Sequence, residues 1–132
     1  MQDHSLPELL VACLCADWCG TCRDYRPGFD ALANLHPDAS FQWIDIEDDA
    51  DWIGDYDVEN FPTLLIQHNN TVLFFGTMLP QVKHLQRTLE TLTAMAPDEM
   101  ARYATATEER RNWQRDCNLR AAIIEHRRQN QS

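Results

Sequence analysis

An unbroken apolar run from Leu9 to Ala16 is followed almost at once by a Cys-x-x-Cys pair. The run is LLVACLCA, which has the length of a strand that is buried on both faces of a sheet. From Gly20 the apolar residues recur instead at steps of three and four, which is typical of an amphipathic helix. The sequence therefore predicts a strand that leads directly into a helix, with Cys19 and Cys22 at the start of that helix.

The pattern that follows predicts an α/β domain with a mixed four-stranded sheet, in the order β-α-β-α-β-β-α. Helical crossovers imply that the first two strands are parallel, whereas a hairpin adds an antiparallel pair. Pro27 falls inside the first helix and is expected to kink it. The predicted elements after that helix are a strand at Phe41–Ile46, a short helix at Asp48–Tyr56, strands at Thr63–His68 and Thr71–Phe75 around an Asn69-Asn70 turn, and a helix at Gln81–Met95.

The charge balance excludes several classes of partner. The chain has 21 acidic and 11 basic residues, a net charge of −10. Binding to phosphates depends on Lys and Arg, so we expect no nucleic acid and no membrane as partner. No apolar run approaches the roughly 18 residues of a membrane span, and the first run lacks the basic flank of a signal peptide. We therefore expect a cytoplasmic protein.

Four of the five cysteines fall within ten residues, at positions 13, 15, 19 and 22. An odd, clustered set is unlike a secreted disulfide framework and indicates redox chemistry or a metal site in a reducing compartment. The spacing C-x-C-x₃-C-x₂-C contains a pair suited to zinc. However, Cys13 and Cys15 face one side of a buried strand and would have to curl toward the helix terminus. We therefore expect no metal and interpret both as small buried hydrophobic residues.

The start of a helix is a favourable place for a reactive thiol. Unpaired amide groups and the helix macrodipole stabilise a thiolate there, which favours Cys19 as the attacking thiol. Cys22, one turn further on, is placed to attack a mixed disulfide on Cys19 without leaving the helix. Gly20 leaves room for a substrate chain. This chemistry requires no cofactor.

These residues resemble the thioredoxin family. Trp18-Cys19-Gly20-Thr21-Cys22 is similar to the family's W-C-G-P-C, and Pro27 falls where its first active-site helix carries a proline. Phe61-Pro62-Thr63 resembles its I-P-T, whose proline is cis and faces the cysteine pair, and Gly76 resembles the glycine after its fourth strand. The resemblance covers about residues 8–95 and implies a thioredoxin-like fold with a cis Phe61–Pro62 bond.

The resemblance also implies a function. It indicates a thiol–disulfide oxidoreductase that reduces protein disulfides, with Cys19 as nucleophile, Cys22 as resolving thiol and the two forming a redox-active disulfide. Its partners would be disulfide-containing proteins and an electron donor such as a reductase. The alternative is a binding or chaperone-like module with secondary redox activity. In either case the expected substrate-binding residues are Trp18, Gly20, Thr21, Phe61 and Pro62.

The sequence departs from the family pattern in three places. The family's N-terminal strand and helix have no counterpart, and Thr21 replaces the proline between the cysteines. Cys13 replaces the buried aspartate that assists proton transfer to the second thiol, and Trp43 replaces that aspartate's lysine partner. We therefore expect Cys22 to lose its proton slowly or to water. Cys13 is expected to lie behind Cys22, where a further hypothesis makes it a third redox thiol.

Residues 97–132 form a separate segment by charge. Residues 1–96, the predicted thioredoxin-like domain, carry a net charge of −11, whereas residues 97–132 carry +1 and seven arginines. Pro97 begins a predicted C-terminal helical extension with a narrow apolar stripe from Met100 to Ile124 that is broken around Arg110. A long helix of this kind is marginal alone, so we expect it to pack on the acidic domain, with self-association or a client-binding arm as the alternatives. Cys117 is expected to be a buried filler.

Overall fold

The computed structural model describes residues 6–53, 58 and 60–129. Its sheet has the strand order β2-β1-β3-β4. β1 pairs in parallel with β2 and antiparallel with β3, and β3 and β4 form an antiparallel hairpin with Asn69 at a φ of 52° in the turn. The predicted mixed four-stranded sheet is therefore confirmed. The strands are β1 (Leu9–Cys15), β2 (Ser40–Asp45), β3 (Thr63–His68) and β4 (Thr71–Thr77).

Helices flank both faces of this sheet. The second is shorter than the predicted Asp48–Tyr56, and residues 54–57 lie outside the described part of the chain. Within the described residues, no helix is long and apolar enough to cross a membrane. The helices are α1 (Gly20–Asn34), α2 (Ala50–Ile53), α3 (Val82–Thr93), α4 (Pro97–Ala104), α5 (Glu108–Asp116) and α6 (Leu119–Gln129).

The central strand β1 organises two cores. All residues from Leu10 to Cys15 are fully buried, because helices cover both faces of the strand. Alternate side chains enter different clusters: Cys13 and Cys15 pack with α1 and α3, whereas Leu10, Ala12 and Leu14 pack with α2 and α6. The continuous apolar run of the sequence is explained by this two-sided burial.

The extension is three helices and not the single long helix that the sequence predicts. The first break is followed by Thr107, whose side chain accepts a hydrogen bond from the Arg110 amide at 3.1 Å and caps α5. The second break is followed by Asn118, whose Oδ1 accepts the Ala121 amide at 3.2 Å and caps α6. Both are ordinary N-cap residues, so the signal for each new helix was present in the sequence.

The breaks allow the extension to follow the sheet. α4 and α5 contact β4, whereas α6 contacts β3 and α2. At the edge strand β4, the Gln114 side-chain amide accepts from the Val72 amide and donates to the Val72 carbonyl, both at 2.8 Å. This side chain pairs with the strand edge as a neighbouring strand would, which protects it from other chains. The expected packing of the extension on its own domain is thus what the structure shows.

Gln67 of β3 joins the extension to the sheet. It is fully buried, its Nε2 donates to Asn118 Oδ1 at 2.7 Å, and its Oε1 accepts the Arg120 amide at 3.1 Å. Gln67→Leu should lower the free energy of unfolding by about 1–3 kcal/mol, because it leaves buried polar groups without a partner. Urea unfolding of the reduced protein measures this loss. The control Gln86→Leu, at a half-buried position of α3, should change it by less than about 0.5 kcal/mol; equal losses in the two variants would contradict the assignment.

Candidate active site

The cysteine segment lies where β1 leads into α1. Cys19 is the N-cap residue of α1, and its amide donates to the Ala16 carbonyl at 3.0 Å. Its own carbonyl accepts the Arg23 amide at 3.2 Å, which closes the first turn of the helix. The predicted position of Cys19, at the carboxyl end of a strand and the start of a helix, is confirmed. In open α/β sheets this is where ligands and active sites occur.

The disulfide at this junction joins Cys15 to Cys22. The two Cα atoms are 5.9 Å apart, within the usual range for a disulfide, and both residues are buried. Cys19 is partly exposed and its thiol is free. Cys15 is buried, as predicted, but its interpretation as a small hydrophobic residue misses this disulfide, because the last residue of β1 faces the first turn of α1 and the strand does not need to curl. The redox-active pairing of Cys19 with Cys22 stays a prediction.

Cys13 is interior, as predicted. It is fully buried, and its Sγ lies 3.6 Å from the Cys15 Sγ. Burial raises the pKa of its thiol to about 12, although the Arg26 charge acts in the opposite direction. Trp43 is its partner in the β1–β2 register, and Arg26 lies over the Trp43 ring at 5.0 Å. A thiol and an indole therefore lie side by side where the resemblance implies an acid and a base, and neither is a base at neutral pH.

An aromatic pair flanks the cysteines. The Trp18 side chain is 63% exposed, and its ring meets the Phe61 ring edge-on with centroids 5.6 Å apart. The Phe61–Pro62 bond is cis, as the resemblance implies, and the Pro62 carbonyl accepts the Met78 amide at 3.2 Å. Gly20 and Thr21 are exposed, whereas Pro62 is buried. Two segments about 40 residues apart in the sequence thus meet beside Cys19, and their role in binding substrate stays a prediction.

Asp45, at the end of β2, is a site residue that the sequence did not single out. It lies in an acidic stretch that is typical of a solvated face, yet only 9% of it is exposed. Its carboxylate accepts backbone amides from Asp17 at 2.9 Å, Glu47 at 2.8 Å and Asp48 at 3.0 Å. Burial alone would raise the pKa of Asp45, but these hydrogen bonds lower it. Asp45 therefore holds the loop that precedes Cys19 against the end of β2.

The neighbouring carboxyl groups do not by themselves make a metal site. Oxygens of Asp17, Asp45 and Asp48 lie within 4.8 Å of one another. A hydrogen bond with Asp45, together with the Asp45 charge, raises the pKa of Asp17. Since Asp45 already accepts three amides, the cluster is accounted for as a structural support of the loop.

Comparison with known proteins agrees with this geometry. The thioredoxin family model matches residues 4–91. A thioredoxin of Ophiophagus hannah is 35% identical over 63 residues, which is 48% of this chain and 60% of that protein. A thioredoxin of Echinococcus granulosus is 34% identical over 62 residues, 47% of this chain and 58% of that protein. The chain thus spans somewhat over half the length of these curated relatives.

Solved structures show the same fold. The crystal structure of thioredoxin from Trypanosoma brucei brucei superposes with a TM-score of 0.61 at 22% identity, covering 70% of this chain and 80% of that one. The thioredoxin family model ends at residue 91, so the helices α4, α5 and α6 lie beyond the part of the chain that it matches.

Proposed function

Because this chain belongs to the thioredoxin family, we propose that it is a thiol–disulfide oxidoreductase that reduces disulfides of proteins. The observation that carries the proposal is the placement of Cys19. It is the N-cap residue of α1, its thiol is free and partly exposed, and Cys22 follows one turn later in the same helix. A thiolate is the attacking species in disulfide exchange, and a helix N-terminus stabilises one.

The proposed reaction has two exchange steps. The Cys19 thiolate attacks one sulfur of a substrate disulfide, the other substrate sulfur leaves as a thiolate, and a mixed disulfide forms. Cys22, present as a thiol in the reduced protein, loses its proton and attacks the Cys19 sulfur, which releases the second substrate thiol. Two electrons pass to the substrate and a Cys19–Cys22 disulfide remains. An external dithiol donor, such as a reductase, returns the protein to its reduced form.

The substrate is proposed to lie across the exposed aromatic pair. Trp18 is among the most exposed large hydrophobic residues of the described chain, and Phe61 supports its ring. Gly20 and Thr21 leave the approach to Cys19 open because neither carries a large side chain. An extended segment of a protein substrate fits this surface, with Pro62 beneath it and its backbone paired to that of Phe61.

Replacement of Cys19 tests the proposal. In an assay of insulin reduction by dithiothreitol, the wild-type protein should accelerate the reaction, and Cys19→Ser should reduce the rate to that of dithiothreitol alone. The control Cys117→Ser, in the core away from this site, should retain wild-type turnover. A Cys19→Ser protein with wild-type turnover would refute the proposal. A wild-type protein that binds reduced insulin chains without turnover would instead indicate a binding module.

A further inference from the structure

We propose that Cys15 is a third active-site cysteine, which exchanges with Cys19 for the disulfide to Cys22. The inference rests on the oxidoreductase function proposed above and extends it. The geometry that points to it is the shared position of Cys22: its sulfur is bonded to Cys15 of β1, while Cys19 lies three residues earlier, at the start of the same helix. Cys22 therefore has one possible partner on the strand and another on the helix.

The exchange balances without any further reagent. After substrate reduction the oxidised protein holds a Cys19–Cys22 disulfide and a Cys15 thiol. Cys15 attacks the Cys22 sulfur as its proton passes to the departing Cys19 sulfur, the bond between Cys22 and Cys19 breaks, and Cys19 is left as a thiol. One disulfide is formed and one is broken, so no electrons enter or leave the protein. Its product is the state that the structure describes, with Cys15 bonded to Cys22 and Cys19 free.

Burial determines the direction of the exchange. Cys15 is 0% exposed and Cys22 is 1% exposed, whereas Cys19 is accessible at the helix start. A disulfide has no hydrogen to donate and so needs no hydrogen-bond partner in the core, whereas a free thiol at Cys19 is reached by solvent. The form with a neutral disulfide in the core and the free thiol at Cys19 is therefore favoured over the reverse arrangement.

Cys13 does not share this role, although it is close. Its sulfur lies 3.6 Å from that of Cys15, but Cys15 and not Cys13 is bonded to Cys22. Cys13 is thus a matched control for Cys15: both lie on β1, face the same core and are fully buried. The hypothesis of a third redox thiol, made from the sequence for Cys13, is better placed two residues further on.

The consequence is a protected oxidised state. The Cys15–Cys22 disulfide lies inside the α1–sheet core, where an external thiol has almost no access. Reduction then proceeds through Cys19, whose thiolate attacks Cys22 and returns the disulfide to the surface. Cys19 therefore controls both the entry of electrons into the buried pair and their exit to substrate.

Disulfide mapping tests the inference. Reduced wild-type protein is oxidised with one equivalent of diamide, denatured in acid to stop exchange, alkylated and cleaved on the amino side of Asp17 by an Asp-specific protease. This cut separates Cys13 and Cys15 from Cys19 and Cys22. We expect the two peptides to be joined by a disulfide, with fragmentation locating it at Cys15 and Cys22 and the alkyl group at Cys19. Separate peptides, with Cys15 alkylated, would overturn the inference.

Three variants complete the test. In oxidised Cys15→Ala, alkylation of Cys19 should fall from nearly complete to nearly absent, whereas Cys13→Ala should behave as wild type. Oxidised Cys19→Ser should still join the two peptides through Cys15 and Cys22. A Cys15→Ala protein that leaves Cys19 as freely alkylated as wild type would contradict the exchange. Insulin turnover by the same wild-type sample separates the two proposals: turnover without joined peptides refutes only the exchange, and joined peptides without turnover refute only the oxidoreductase.

Discussion

Cys22→Ser is expected to convert a transient mixed disulfide on Cys19 into a stable adduct. In the proposed reaction Cys22 resolves that intermediate from the first turn of the same helix, which keeps the attacking sulfur close to the bond that it breaks. Well-oriented intramolecular reactions reach effective molarities of about 10⁵ M or more, so the loss of Cys22 should lengthen the life of the adduct at least about 10³-fold.

The adduct is measured directly. Reduced Cys22→Ser, freed of small thiols, is mixed with a disulfide-bonded peptide and followed by intact-protein mass spectrometry. The expected result is one peptide per protein, attached at Cys19, while wild-type protein releases the peptide and becomes oxidised. The double variant Cys19→Ser/Cys22→Ser should form no adduct. An adduct on Cys117, or an equal one in the double variant, would show that the attacking thiol is wrongly assigned.

Phe29→Ala is expected to lower the free energy of unfolding by about 3–5 kcal/mol, since it removes a large side chain from a packed core. Phe29 is 1% exposed and joins α1 to β2 through edge-on contacts with Phe41 at 5.4 Å and Trp43 at 5.6 Å between ring centroids. Aromatic pairs of this kind add about 0.5–1.5 kcal/mol each beyond the area they bury. The loss therefore falls on the helix that carries Cys19 and Cys22.

Urea unfolding of the fully reduced protein measures this effect without a contribution from the disulfide. Phe29→Leu keeps an apolar side chain and should lie between wild type and Phe29→Ala. Leu35→Ala, at a position that is 68% exposed just after α1, should cost less than about 0.5 kcal/mol. If Phe29→Ala and Leu35→Ala have equal effects, the aromatic cluster does not anchor α1.

Much of the fold was predictable because the local pattern and the global arrangement agree. The bounds of β3 match the predicted Thr63–His68, and β1 differs from the predicted strand by one residue. The start of α1 at Gly20 is as predicted, because an apolar run of strand length gives way there to helical spacing. The extension was harder to predict. Its apolar stripe is broken around Arg110 but resumes at helical spacing, and that periodicity concealed the helix caps at Thr107 and Asn118, which the residue types themselves indicate.

Two parts of the site depended on contacts between distant residues. Asp45 looks like any other acid in an acidic stretch, and only the return of the loop at Asp17 to the end of β2 gives its carboxylate a backbone amide of that loop to accept. The meeting of Trp18 and Phe61 likewise depends on the placement of β3 beside β1. The resemblance to a family anticipated that meeting, whereas spacing alone contains no information on it.

The cysteines show the division most clearly. The sequence by itself determined that Cys19 lies at the start of a helix and that Cys13 and Cys15 are buried on one face of a strand, because hydrophobic periodicity and helix-start chemistry are local properties. Only the tertiary structure decided which sulfur Cys22 meets. That choice depends on how the end of β1 faces the first turn of α1, which places the Cα atoms of Cys15 and Cys22 5.9 Å apart. Strand periodicity fixes a face but not the distance across the gap between two elements, and that distance is set by how the helix packs on the sheet.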